Sequence, residues 1–142
     1  MARRILPVVA GVAVAFLLVA VIEAAGHLLY PPPPGLDFND HEQVKSFIAN
    51  LPVQAFLVVL AAWSMATLGG GVVACWVARE RPWRYAIVIG VVVLAATVAN
   101  LLMIPHPGWM AFSAVVAIIV MTILAARIGE KITGLGGAQR QA

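Results

Sequence analysis

Residues 5–29 read ILPVVAGVAVAFLLVAVIEAAGHLL, and only Glu23 and His27 in that stretch are ionisable. At about 1.5 Å per residue, a helix of this length outspans the ~30 Å of hydrocarbon in a bilayer. A backbone in lipid must satisfy every amide within its own helix or in a closed barrel. The stretch lacks the alternation of a barrel strand, so it reads as a transmembrane helix. Three further apolar runs follow, Leu51 to Ala78, Arg84 to Ile104 and Trp109 to Ile128. The expected fold class is therefore all-α: an integral membrane four-helix bundle forming one domain over residues 1–142.

Composition agrees. The chain is 63% hydrophobic and 11% charged, where a soluble domain carries about a quarter charged residues. Arg3 and Arg4 ahead of an apolar core have the form of a signal peptide. The run is about twice a signal core in length, and Glu23 stands where a small-residue cleavage site would fall, so a retained span is expected. The lone Cys75 cannot form an internal disulfide and reads as a packing residue.

Basic residues set the threading. Arg3 and Arg4, then Arg79, Arg81 and Arg84, then Arg127, Lys131 and Arg140 fall on one side of a four-span chain, with Lys45 alone on the other. The positive-inside rule puts both termini in the cytoplasm. The expected location is the bacterial inner membrane. The net charge of +3 is then a topology signal, and its scatter over three juxtamembrane positions excludes nucleic acid as a partner. Tyr30 and Trp109 mark the outer interface, and Trp76, Trp83 and Tyr85 the inner one. Trp63 falls near the middle of the second span, where its indole N–H needs a partner or a cavity.

The outer loop is ordered by its own chemistry. Pro31 to Pro34 cannot continue a helix and favour a stiff polyproline strut, and Gly35 permits a turn. Asp40-His41-Glu42-Gln43 has the spacing of a capping box, with Val44, Phe47, Ile48 and Leu51 following at helical spacing. These predict a short amphipathic helix over residues 41–50 resting on the outer interface. Asn50 and Pro52 read as the N-cap and first turn of the second span.

Two segments resemble each other. His27-Leu28-Leu29 through Gly35 aligns with Asn100-Leu101-Leu102 through Gly108, with five of nine positions identical. A tandem hairpin repeat would place Asn100 where His27 stands in the first half. Small residues also repeat every four positions: Ala62, Ala66, Gly70 and Ala74 on the second span, Ala86 and Gly90 on the third. Such stripes let helices approach closely and fit either the core of the bundle or a homodimer seam. Gly69-Gly70-Gly71 reads as tight contact ahead of a hinge.

The polar residues are few. Glu23, His27 and Tyr30 lie at i, i+4 and i+7 and share one helix face. Asn100 and His106 fall at comparable depth on the third span and its outer turn, and His41 hangs on the loop above. Acids inside a span usually face a partner, a cavity or an ion. Three readings stay open: a structural hydrogen-bonded network; a proton or substrate site built from Glu23, His27, Tyr30, Trp63, Asn100 and His106; and a metal site using Glu23 and His27 with His41 or His106. Ser64, Ser113, Thr67, Thr97 and Thr122 read as hydroxyls bonded back to helix carbonyls. No nucleophile triad, phosphate loop or carboxylate pair is legible, so a non-enzymatic role without a cofactor is expected.

The motif E-x-x-G-H-x-x-Y-P-P-P-P-G-L-D over Glu23 to Asp37, with N-L-L-M-I-P-H-P-x-W over Asn100 to Trp109, resembles a family of small, uncharacterised bacterial four-span inner-membrane proteins. The resemblance covers most of the chain. It implies four helices in a bacterial inner membrane and brings no activity. Small multidrug resistance transporters are similar in span number and in an acid on the first helix. This chain departs from them in its proline-rich loop and its extra length. The leading expectation is an accessory or interaction protein whose surroundings are the lipid bilayer. The runner-up is a small proton-coupled transporter using Glu23, followed by a metal-binding protein.

Overall fold

The computed structural model describes residues 2–37 and 39–134, and the side chains of residues 4–37 and 39–134. Arg140 lies outside them. The elements are α1 (Ala2–Leu29), α2 (His41–Ala49), α3 (Val53–Ala78), α4 (Pro82–Met103) and α5 (Gly108–Thr133). Four of them, all but α2, are long and apolar enough to cross a membrane. They pack together with α2 outside the bundle, so the chain is a multi-pass membrane bundle with a short loop helix, as the sequence implies. The last helix runs on to Thr133, past the expected stop at Ile128, and ends at Gly134 in the left-handed region.

α3 is the hub. It packs against α1, α4 and α5; α4 packs against α5 and only lightly against α1; α1 and α5 do not meet. A two-fold axis exchanging the two hairpins would require α1 to touch α5 as α3 touches α4. The packing is therefore asymmetric, whatever the ancestry of the two similar segments.

Small residues make the seams. A Cβ added to Gly70 would lie 2.6 Å from the carbonyl oxygen of Gly11, and one added to Gly11 would lie 2.7 Å from the carbonyl oxygen of Gly70. Here α1 and α3 touch backbone to backbone. A Cβ on Gly71 would lie 2.7 Å from the Ala125 side chain, which sets the approach of α3 to α5. Ala62, Ala66 and Ala74 are fully buried and Ala86 nearly so. The stripes thus serve the interior of the bundle. The glycine run continues as unbroken helix, so contact decides its role.

At the end of the bundle away from α2, Arg79 and Arg81 adopt left-handed backbone conformations (φ 52° and 44°) around a tight α3–α4 connection. Pro82 then opens α4. The Trp83 indole N–H donates to a Glu130 carboxylate oxygen at 2.7 Å, tying the start of α4 to the end of α5. Tyr85 departs from its expected interfacial place: it is 9% exposed and belongs to the core with Ile89 and Ile118.

α2 is capped as its sequence indicates. The Asp40 carboxylate accepts the backbone N–H groups of Glu42 (3.0 Å) and Gln43 (3.2 Å), and Gln43 Nε2 donates to its second oxygen at 2.8 Å. These bonds, led by the Gln43 amide, hold the Asp40 carboxyl below its ordinary value. Before it, Leu36 N–H donates to the Pro33 carbonyl at 3.2 Å across a turn that needs the positive φ (86°) of Gly35. Asn50 corrects an expectation. It closes α2, with Nδ2 donating to the Ser46 carbonyl at 2.7 Å, and Pro52 alone precedes α3. An asparagine between two helices can serve either, and the Ser46 carbonyl is the nearer orphan.

Candidate functional site

α1 and α4 meet where the Ile89 side chain packs against Gly11. From there toward α2 the two helices face each other across a gap. A cavity of about 240 Å³ fills it, walled by Val12, Phe16 and Glu23 of α1 and by Val92, Ala96 and Asn100 of α4, among others. Trp63 and Ala66 of α3 form its floor. Phe16 is 57% exposed and Ala96 is exposed, so the mouth opens sideways, toward lipid in a membrane.

A second cavity of about 220 Å³ continues toward α2. Its walls include Glu23, His27 and Tyr30 of α1, Asn100 of α4 and His106 of the α4–α5 connection. Its roof is the half-buried face of α2, Val44, Phe47 and Ile48. Ile48 and Leu51 also pack on the cluster of Phe56, Trp63, Met110 and Ala114, which seats the loop helix. Glu23 and Asn100 are the polar residues common to both cavities. They stand as a partition between the α1–α4 slot and the chamber roofed by α2. Together the two spaces fall within the ~300–1,000 Å³ usual for small-molecule sites.

All six residues expected at a proton or substrate site border one or both spaces. Glu23, Tyr30, Asn100 and His106 are half-buried and Trp63 is 5% exposed, while His27 is exposed. The His106 ring is fixed: Nδ1 lies 2.8 Å from the Ile104 carbonyl, and the ring centroid lies 6.3 Å from Phe56 and 6.2 Å from Trp63. Among the described residues no side-chain hydrogen bond engages the Glu23, His27 or Asn100 side chains. No buried side-chain polar atom among the described residues lacks a partner, so these groups reach open space.

The metal reading fares differently. Among the described residues no group of three or more His, Cys, Asp or Glu side chains is placed to hold an ion. Glu23, His27, His41 and His106 therefore do not converge as a ligand set. His106 is turned to a backbone carbonyl, and His41 is exposed at the start of α2.

Hydroxyls divide. Ser64, Thr67 and Thr122 donate to carbonyls four residues earlier, at 2.7 to 2.8 Å, as expected. Thr97 lines the slot and belongs to the site. Its i, i+3 spacing from Asn100 puts both on one face of α4 and is the signal in the sequence. Phe16, Val92 and Ala96 carry no such signal, since apolar residues cover every face of α1 and α4.

No family model, curated protein or solved structure matches the chain.

Proposed function

We propose that this is a bacterial inner-membrane protein with cytoplasmic termini, and that Glu23 is the working group of a proton-coupled binding site for a small ligand. The observation that carries the reading is the position of Glu23 and Asn100 in the walls of two cavities at once. A purely structural network would fill the space between its members with hydrogen bonds and packed atoms. Here a carboxyl inside a span faces volume on both sides, which suits a group that takes up and releases a proton as a ligand passes. This favours binding and transport over the accessory role that leads on sequence grounds. The chemistry needs no covalent step.

Orientation rests on charge. Arg4, Arg79, Arg81, Arg84, Arg127 and Lys131 all belong to the end of the bundle away from α2, which supports a cytoplasmic assignment for that end. The resemblance carried by the Glu23–Asp37 and Asn100–Trp109 motifs supports the bacterial setting.

The test is reconstitution in vesicles holding a pH-sensitive dye. An imposed pH gradient should discharge faster with the protein than without it. Glu23→Gln should abolish the difference while the purified protein keeps its helicity and its monodisperse elution. Proton flux in Glu23→Gln equal to that of the parent would eliminate the reading.

A further inference from the structure

We propose that the α1–α4 slot admits its ligand sideways from the bilayer, and that this ligand is a single-chain primary amine with its ammonium group at Glu23 and Asn100. The inference rests on Glu23 as the working group and adds a ligand class and a route.

Three observations lead to it. The mouth of the slot lies between Phe16 and Ala96 within the spanning portions of α1 and α4, so the space beside it is lipid. The slot runs along the two helices, lined from Val12 to Glu23 on α1 and from Ile89 to Asn100 on α4. Val12 and Glu23 stand at its two ends on one helix, about 16 Å apart at 1.5 Å per residue. An extended twelve-carbon chain measures about 15 Å, at ~1.25 Å per methylene from a ~1.5 Å bond. Finally, the charge is one-sided. Glu23 is the one ionisable residue lining the slot; His27, His106 and Tyr30 border the chamber beyond it.

A carboxylate in that place repels the heads of fatty acids and of anionic phospholipids, and it attracts a cation. An ammonium group has three donors. The Glu23 carboxylate and the Asn100 amide oxygen can each accept one, and the Thr97 hydroxyl beside them can accept a third. The apolar walls receive the tail, and the closed end near Gly11 and Ile89 limits its length. Ordinary bilayer lipids carry two chains and a bulky head, so shape discriminates against them.

The experiment uses the full chain in nanodiscs of zwitterionic lipid. Trp76, Trp83 and Trp109 are replaced by Phe, so that fluorescence reports Trp63 on the slot floor. The probe is dodecylamine brominated near its head, which quenches indole at short range. Saturable quenching is expected. It should weaken at least tenfold in affinity with Glu23→Gln and with Ala96→Phe, which fills the mouth. Ala95→Phe, on the neighbouring exposed face of α4, should bind as the parent does. Brominated butylamine should bind at least tenfold more weakly.

Equal quenching by brominated laurate or dodecanol would overturn the ammonium assignment. Quenching untouched by Ala96→Phe would overturn the sideways route. Proton flux through the same chain in the vesicle assay above separates the two readings. Flux that requires Glu23, without saturable amine binding, sinks the ligand class and leaves the working group standing.

Discussion

α1 has two neighbours, and it treats them in opposite ways. Against α3 it presents Gly11, and the two backbones touch at Gly70. Against α4 it touches Ile89 and then leaves a gap large enough for a ligand. Both interfaces are apolar, so hydrophobicity does not distinguish them. In lipid the hydrophobic effect does not drive helices together, and fit of the surfaces decides. The contrast shows one helix acting as a structural seam on one side and as a wall of a cavity on the other.

Enlarging the seam should break the bundle. Gly70→Leu forces a side chain into the Gly11 carbonyl and should cost about 3 kcal/mol as overpacking, read as the unfolding midpoint in detergent titration. A stability like that of the parent would mean that α1 and α3 do not meet at this point. The next effect is local to the roof. Asp40 has its carboxyl lowered by the Gln43 and Glu42 amides. A lowered native value means that the cap is fully present above the ordinary Asp value of 3.8 and is lost as pH falls below it through the native value. The protection factors of the α2 amides, taken against the unstructured exchange rate at the same pH, should therefore fall several-fold on acidification below pH 4, and in Asp40→Ala they should be low at every pH. Uniform protection of α2 across that range would show that the cap does not hold the roof.

Smaller still is Trp83→Phe, which loses one hydrogen bond at a partly exposed site and should cost under about 1 kcal/mol, seen in the same detergent titration. Ala96→Phe sharpens the comparison by doing almost nothing. A larger side chain at the mouth of the slot meets open space, so stability should stay within about 0.5 kcal/mol of the parent. A loss as large as that of Gly70→Leu would mean that the slot is a packed seam.

Much of this was legible in the order of the residues. Span lengths, the Asp40 cap, the Gly35 turn and the small-residue stripes follow from local rules that tertiary structure had no reason to override. Glu23, Asn100 and His106 stood out because polar groups are rare in hydrocarbon. The slot itself was not legible. α1 and α4 are apolar all round, so periodicity does not say which face turns inward. Tyr85 went astray for a related reason: the same residue type suits an interface or a core, and only packing against Ile89 and Ile118 decides. Asn50 sits between two helix ends, and its sequence neighbours fit both.

The hub arrangement has a bearing on how the chain is made. α1 leaves the ribosome before its main partner α3 and before α4, the other wall of its cavity. Until they arrive Glu23 is uncovered on that side, at a penalty below the about 3 kcal/mol of an acid at mid-bilayer. Glu23 lies six residues from the helix end at Leu29, about 9 Å along the axis. From there a carboxylate can tilt toward the headgroups until α4 arrives and closes the cavity wall opposite it.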